Sequence, residues 1–251
     1  MIREKKYIFD IDGTLTKSRQ KINSDFAIFF EKFMVYNDVY LVTGSDREKT
    51  IEQIGLLLYQ LAKRVYNCSG SDVYEGSVNT YRDSWELPIE AESWLSINLQ
   101  SSEFPVRTGR HIERRPGMVN FSIVGRNANP TARKQYLRWD EETSERLKIS
   151  KAFEKRFPDI EAKVAGETGL DIFPRGNNKS QILRDFNKDQ KLVFFGDKMQ
   201  PNGNDYDLKV AIEKEYKGVV AKRGICHEVK DYKDTWNILK SSFTNPEIYL
   251  V

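Results

Sequence analysis

The sequence predicts an α/β protein whose parallel, Rossmann-like core sheet is interrupted by an inserted α+β domain. Three observations carry this. Short apolar runs that end on polar residues alternate with amphipathic segments from Tyr7 to Asn67. The rhythm breaks between about residues 86 and 174 and returns at Lys191. Alternating strand and helix patterns specify a parallel sheet with crossover helices, and a break followed by a return specifies an insertion. The expected division is 1–85 plus 175–251 for the core and 86–174 for the insertion.

Tyr7-Ile8-Phe9 is apolar and stops at Asp10, as a strand buried on both faces does. Ser24 to Met34 has helical apolar spacing, with Ser24 as the expected N-cap. Val39 to Val42 is a second buried strand ending at Thr43-Gly44-Ser45. Asp46 to Leu58 is expected as one helix with Ile51, Ile54 and Leu57 on one face, and Val65 to Asn67 as a third strand. In the insertion, Trp85 to Leu99 has a helical apolar stripe, which is more often core than interface. In Met118 to Val124 the residues Val119, Phe121 and Ile123 alternate with Asn120 and Ser122, the pattern of a half-buried strand. Pro116-Gly117 before it suits a type II turn, which needs positive φ at its third position. A charged helix is expected over about 130–157, mainly with a solvated face. Lys191 to Phe195 is another buried strand ending at Gly196-Asp197, and Val219 to Ala221 is expected as the last.

The chain has 251 residues, 39% hydrophobic and 12% aromatic, enough for packed cores. Its net charge of +3 argues against a general polyanion binder. Cys68 and Cys226 have no metal-ligand spacing and read as buried thiols of a reducing compartment. No signal segment or membrane-spanning run is visible, so a cytoplasmic protein without a membrane partner is expected. His111 and His227 stand alone and receive no role.

Ligands of open parallel sheets bind at the carboxyl ends of the strands. That edge gathers Asp10, Asp12, Thr43, Ser45 and Asp197. Carboxylates from one loop and a distant strand suit a hard, oxygen-bound cation, Mg²⁺. Beside such an ion one carboxylate could attack phosphorus, with Lys179 adding positive charge at the transferring group.

Asp10-Ile11-Asp12-Gly13-Thr14, a Thr/Ser after the second strand, Lys179, and Gly196-Asp197 before Asn204-Asp205 resemble the haloacid dehalogenase superfamily of phosphotransferases. The resemblance implies Asp10 as nucleophile, forming an aspartyl-phosphate, and Asp12 as general acid/base. It implies Mg²⁺ on the Asp10 carboxylate, the Asp12 carbonyl and Asp197, with Asn204 and Asp205 belonging to the metal site. Thr43, Gly44 and Ser45 would bind the phosphoryl group, with Thr43 and Ser45 as alternative hydrogen-bond donors.

Seven arginines lie between 107 and 138 (Arg107, Arg110, Arg114, Arg115, Arg126, Arg133, Arg138) with Lys134, and Glu113 is the only acid in that stretch. A solvated strip or a nucleic-acid patch is one reading. A phosphate clamp is the other, because the guanidinium fork matches phosphate oxygens. The spacing Glu113-Arg114-Arg115-Pro116-Gly117-Met118, Gly125-Arg126, Arg133 is similar to that of the eukaryotic-type phosphomannomutases, as are Arg19 in the opening tail and the loop from Gly196 to Asp205. This resemblance implies a mutase that interconverts hexose 6-phosphate and hexose 1-phosphate, most readily of mannose, through a hexose 1,6-bisphosphate that also serves as activator. A sugar-phosphate phosphatase is the alternative. Arg19, Arg115, Arg126 and Arg133 would hold the non-reacting phosphate, and Asp171 the sugar hydroxyls. A hexose phosphate is the expected partner, nucleic acid is not, and the family's habit implies a homodimer through the inserted cap. Gly169 replaces the family's Ser in the sugar site, and Tyr206 to Lys217 lacks the family's second cation loop.

Overall fold

The computed structural model describes residues 5–215 and 224–242. The expected strand at 219–221 lies outside them. The chain runs β1 (Lys5–Phe9), α1 (Ser24–Tyr36), β2 (Asp38–Val42), α2 (Arg47–Ile54), α3 (Leu56–Leu61), β3 (Arg64–Asn67), β4 (Asp72–Glu75) and β5 (Val78–Arg82). It continues with α4 (Ile89–Ser101), β6 (Ile112–Arg115), β7 (Met118–Phe121), α5 (Pro130–Thr143), α6 (Glu145–Arg156), β8 (Ile160–Ala165) and β9 (Gly169–Pro174). A 3₁₀ segment, Lys179–Asp185, leads into β10 (Lys191–Gly196), α7 (Tyr206–Glu215), β11 (Gly224–Glu228) and α8 (Tyr232–Ser242).

The strands form a seven-stranded sheet, β11-β10-β1-β2-β3-β4-β5, and a four-stranded one, β6-β7-β9-β8. In the first sheet β11, β10, β1, β2 and β3 pair in parallel, and β4 and β5 add an antiparallel hairpin. All pairs of the second sheet are antiparallel. β1 lies central, with Phe9 opposite Phe195 on one side and Leu41 on the other. Alternate β1 residues serve opposite faces: Tyr7 and Phe9 pack on Phe30 and Phe33, whereas Ile8 packs on Val42, Phe194 and Leu208. The second sheet packs Val119, Phe121, Leu170 and Ile172 against Leu95, Tyr136 and Phe153 of its helices. Each fully buried large side chain contributes about 1.5–3 kcal/mol, so the sheets are rigid platforms for what stands at their ends.

Several expectations are corrected. The α1 cap is Asn23, whose side chain accepts from the Asp25 and Phe26 N–H groups. The expected single helix over 46–58 breaks at Gly55 (φ +82°). Ile54 stays buried, but the break turns Leu57 to solvent and puts Leu58 in the core. The charged helix breaks at Ser144 (φ 54°), where Asp140 accepts from the Arg146 N–H. Lys134, Arg138, Glu141 and Glu142 are exposed there as expected, while Arg133, Tyr136, Ile149 and Phe153 are buried. β7 stops at Phe121, and Asn120 and Ser122 are as buried as their apolar neighbours because both faces are covered. Gly117 has the positive φ (63°) its turn requires. Trp94, Leu95 and Leu99 join the core, but Ile89 and Ile97 of the same helix are exposed. Cys226 is only half-buried. Residues 206–215 form α7, a helix rather than a cation loop.

Candidate active site

The parallel strands deliver Asp10, Thr43 and Asp197 to one edge, directly after β1, β2 and β10. Asp10 is buried and its backbone N–H donates to the Phe195 carbonyl, which ties the loop to the neighbouring strand. Its Oδ1 accepts from Lys179 Nζ at 2.5 Å and its Oδ2 from the Thr14 hydroxyl at 3.2 Å. Lys179 also donates to Asp205 Oδ1 at 2.7 Å, and Asp205 Oδ2 accepts from the Lys198 N–H at 3.1 Å. One buried ammonium therefore faces three carboxylates, because oxygens of Asp10, Asp197 and Asp205 lie within 4.8 Å of one another.

That imbalance sets the electrostatics. Burial, then Asp205 and Asp197, raise Asp10 well above the usual carboxylate range against the pull of Lys179. Burial and Asp205 push Asp197 up to about 6. The two carboxylates of Asp10 and Asp205 outweigh burial and keep Lys179 charged. A cluster short of positive charge and made of carboxylate oxygens fits a hard divalent cation. Asn204 Oδ1 is buried with no hydrogen-bond partner beside it, a further oxygen free for such an ion or its water. Gly13 is required by this packing: a Cβ there would stand 2.3 Å from Asp197 Oδ2, and its φ is +89°.

Asp12 behaves differently. Its Oδ1 accepts from the Arg19 N–H at 2.7 Å and from Gln53 Nε2 at 2.9 Å. Its carboxylate is thus tied to the Arg19 loop and to α2 and is not one of the three that cluster around Lys179. Thr43 Oγ1 accepts from the Ser45 N–H at 3.1 Å, which leaves the Thr43 proton free to donate, and both residues line the same cavity as Asp10.

This cavity, of about 260 Å³, lies between the two sheets. Asp10, Asp12, Asp197 and Asn204 line it, together with the cations Arg19, Lys49, Arg115, Arg126 and Lys198. Arg115 Nη1 crosses between the sheets to the Gly44 carbonyl at 2.7 Å. Glu113 accepts from both Arg115 and Arg126, the latter through Nε at 2.8 Å, and these cations draw its pKa down to about 2 against the effect of burial. Arg133 is buried and does not line the cavity: its Nη2 donates to Glu167 at 2.6 Å, and Glu167 stands in the wall instead. Arg107 is spent on the carbonyls of Leu99, Phe104 and Ser102. Only Arg110, Arg114, Arg138 and Lys134 remain exposed, so the basic run is no continuous surface strip. Asp171 Oδ1 accepts from Asn120 Nδ2 at 2.6 Å, and Asp171 Oδ2 lies 2.9 Å from where a Cβ on Gly44 would stand. A Cβ on Gly169 would stand 2.8 Å from the Asn120 amide, so Asn120 fills the space a side chain at 169 would claim.

Lys49, Gln53, Glu113, Asn120 and Glu167 are the site residues that sequence reasoning missed. Glu113, a lone acid among arginines, carried a signal. The others carried none.

The fold is that of the haloacid dehalogenase-like proteins. A solved haloacid dehalogenase-like hydrolase from Bacteroides thetaiotaomicron superposes with a TM-score of 0.57 at 13% identity, covering 95% of this chain and 99% of that one. The family model for eukaryotic phosphomannomutase matches residues 26–245. The chain is 32% identical to the phosphomannomutase of Saccharomyces cerevisiae, covering 94% of this chain and 93% of the relative. It is 29% identical to the phosphomannomutase of Drosophila melanogaster, covering 92% of each. It belongs to the eukaryotic phosphomannomutase family.

Proposed function

We propose that the protein is a phosphohexomutase interconverting hexose 6-phosphate and hexose 1-phosphate, with mannose as the sugar. The observation that carries this reading is one cavity lined by two phosphate-competent groups: Asp10, which Lys179 contacts, and the arginines Arg19, Arg115 and Arg126. Hydrolysis of a monophosphate needs only the first. Residues 1–85 with 175–251 act as the catalytic core and 86–174 as the cap.

In this mechanism Asp10 carries a phosphoryl group as an aspartyl-phosphate. A hexose 6-phosphate binds with its phosphate on the arginines, and its 1-hydroxyl attacks phosphorus. Asp12 takes the hydroxyl proton, the acyl-phosphate bond between the Asp10 carboxylate oxygen and phosphorus breaks, and hexose 1,6-bisphosphate forms while Asp10 leaves as the carboxylate. The bisphosphate then turns end for end, Asp10 attacks the phosphate at C6, and Asp12 returns the proton to the leaving oxygen. Asp171, steered by Asn120, accepts from sugar hydroxyls. Lys179 and Thr43 or Ser45 hold the transferring oxygens, while Arg133 acts through Glu167 at the cavity wall. Mg²⁺, held by Asp10, the Asp12 carbonyl and Asp197 with Asn204 alongside, would neutralise charge on the transferring group. Asp205, with both oxygens bonded, anchors Lys179. Hexose 1,6-bisphosphate activates by supplying the first phosphoryl group. A homodimer would form through the cap, where Ile89 and Ile97 of α4 stand exposed.

The test supplies mannose 1-phosphate, Mg²⁺ and a trace of hexose 1,6-bisphosphate, and follows hexose 6-phosphate and free phosphate together. Isomerisation outpacing phosphate release is expected. Phosphate release without isomerisation would return the protein to the phosphatases. Asp10→Asn should abolish turnover, since an amide is no nucleophile.

A further inference from the structure

The basic wall of the cavity is not made by the cap alone. Lys49, half-buried on α2, lines it with Arg19 and Arg126. Its backbone N–H donates to the Asp46 cap, and among the described residues no carboxylate pairs with its ammonium. Burial and then the Arg19 guanidinium hold Lys49 below its ordinary pKa. Glu113 is hydrogen-bonded to the Arg115 and Arg126 guanidiniums of the cap, whereas the acid that acts on the two core-side cations, Asp12, makes no ion pair with either and has its Oδ1 bonded to the Arg19 backbone N–H and Gln53. Like charges crowded into a partly desolvated space are relieved by an anion bound between them.

A second observation links these cations to the reacting end. Gln53 lies four residues after Lys49, on the same face of α2. Its Nε2 donates to Asp12 Oδ1, the oxygen that also accepts from the Arg19 N–H. The Gln53 carbonyl in turn accepts from the Ile22 N–H at 2.8 Å, fastening the loop that carries Arg19 to the helix. Arg19 holds a left-handed φ of 58°, a strained conformation for a side-chain-bearing residue, within this hydrogen-bonded frame.

We propose that α2 is the core-side half of the phosphate clamp: Lys49 contacts the non-reacting phosphate beside Arg19, and Gln53 is a positioning residue that holds the Asp12 carboxylate. This rests on the two-phosphate reading above. The second phosphate is then gripped from core and cap, and its core-side ligands share one frame with the acid/base. Loss of Lys49 therefore weakens binding, whereas loss of Gln53 weakens chemistry.

Binding is read without turnover. In an Asp10→Asn background, calorimetric titration with mannose 1-phosphate should show Kd rising about ten-fold on adding Lys49→Met, the scale of one charge-assisted contact, with Lys49→Arg restoring most of it. In the otherwise unaltered enzyme, Lys49→Met should raise KM and spare kcat. Gln53→Leu should lower kcat about ten-fold while KM changes less than about two-fold. Lys134→Met, exposed on the cap, serves as the control that leaves both unchanged. If Asp10→Asn fails to fold, thermal stabilisation by inorganic phosphate compares wild type with Lys49→Met directly. An unchanged Kd, or unchanged phosphate stabilisation, overturns the role of Lys49. An unchanged kcat in Gln53→Leu, or kcat lost only in step with thermal stability, overturns that of Gln53. A protein that proved to be a phosphatase would fail in the product assay and still report Lys49 through Kd, so the two readings fail separately.

Discussion

Glu113 joins Arg115 and Arg126 of the cap by hydrogen bonds. Its depressed pKa has a thermodynamic consequence. A carboxylate at about 2 when folded and near 4.3 when unfolded contributes stability that is fully present above the unfolded value and disappears as pH falls toward 2. Glu113→Gln should therefore flatten the loss of stability between pH 4.5 and about 2, read as urea midpoints across that range. Equal slopes in the two proteins would mean that the arginines do not hold this carboxylate. The residues announced by the sequence were those with a fixed place relative to a strand end: Asp10, Asp12, Thr43 and Asp197 follow from where three apolar runs stop. Arg133 lies buried outside the cavity lining, paired with Glu167 from a loop 34 residues away. Nothing in a single sequence encodes that pairing.

At the scale of elements, legibility followed the presence of a buried face. β1, β2, β3 and β10 are covered on both sides, and their apolar runs mark them within one or two residues. β5 is exposed at every position, so no hydrophobic pattern could betray the β4–β5 hairpin at the sheet edge. The helix after β2 read as continuous because its apolar spacing runs through the break at Gly55 without a change of period. Gly55 combines φ +82° with ψ 154°, a region closed to other residues, and a Cβ there would meet nothing within 4 Å. Gly55→Ala thus isolates backbone strain from packing. It should cost about 1–3 kcal/mol, a fall in Tm of a few degrees to about ten for a chain of this size. A variant as stable as the parent would show that the 47–61 segment can run as one helix. Because Lys49 and Gln53 ride on α2, the same break decides how that helix is aimed at the cavity.

For the molecule as a whole, the two sheets are useful only when their edges meet. Arg115 reaches the Gly44 carbonyl, Lys198 the Gly166 carbonyl at 3.4 Å, and Lys163 pairs with Asp207 at 3.4 Å. These few polar bridges enclose a cavity whose acidic wall is short of positive charge. Asp10 and Asp197 both have raised pKa values in the folded protein, Asp197 to about 6. A raised carboxyl binds protons on folding, so its stabilising effect is present at low pH and is lost as pH rises from the unfolded value near 4 through the folded one. Protein stripped of divalent ions should therefore lose stability between pH 4 and about 6.5 at this site. A cation that needs the same oxygens ionised must displace those protons, so its binding strengthens over the same interval. The rise in Tm on adding Mg²⁺ to EDTA-treated protein should accordingly be small at pH 5 and larger at pH 7.5, growing as ligation to the folded state grows. Asp197→Asn should remove most of the difference between the two pH values. Equal Mg²⁺-induced shifts at both would mean that the ion does not share oxygens with Asp10 and Asp197, and Lys179 alone would then offset the charge of the acidic wall.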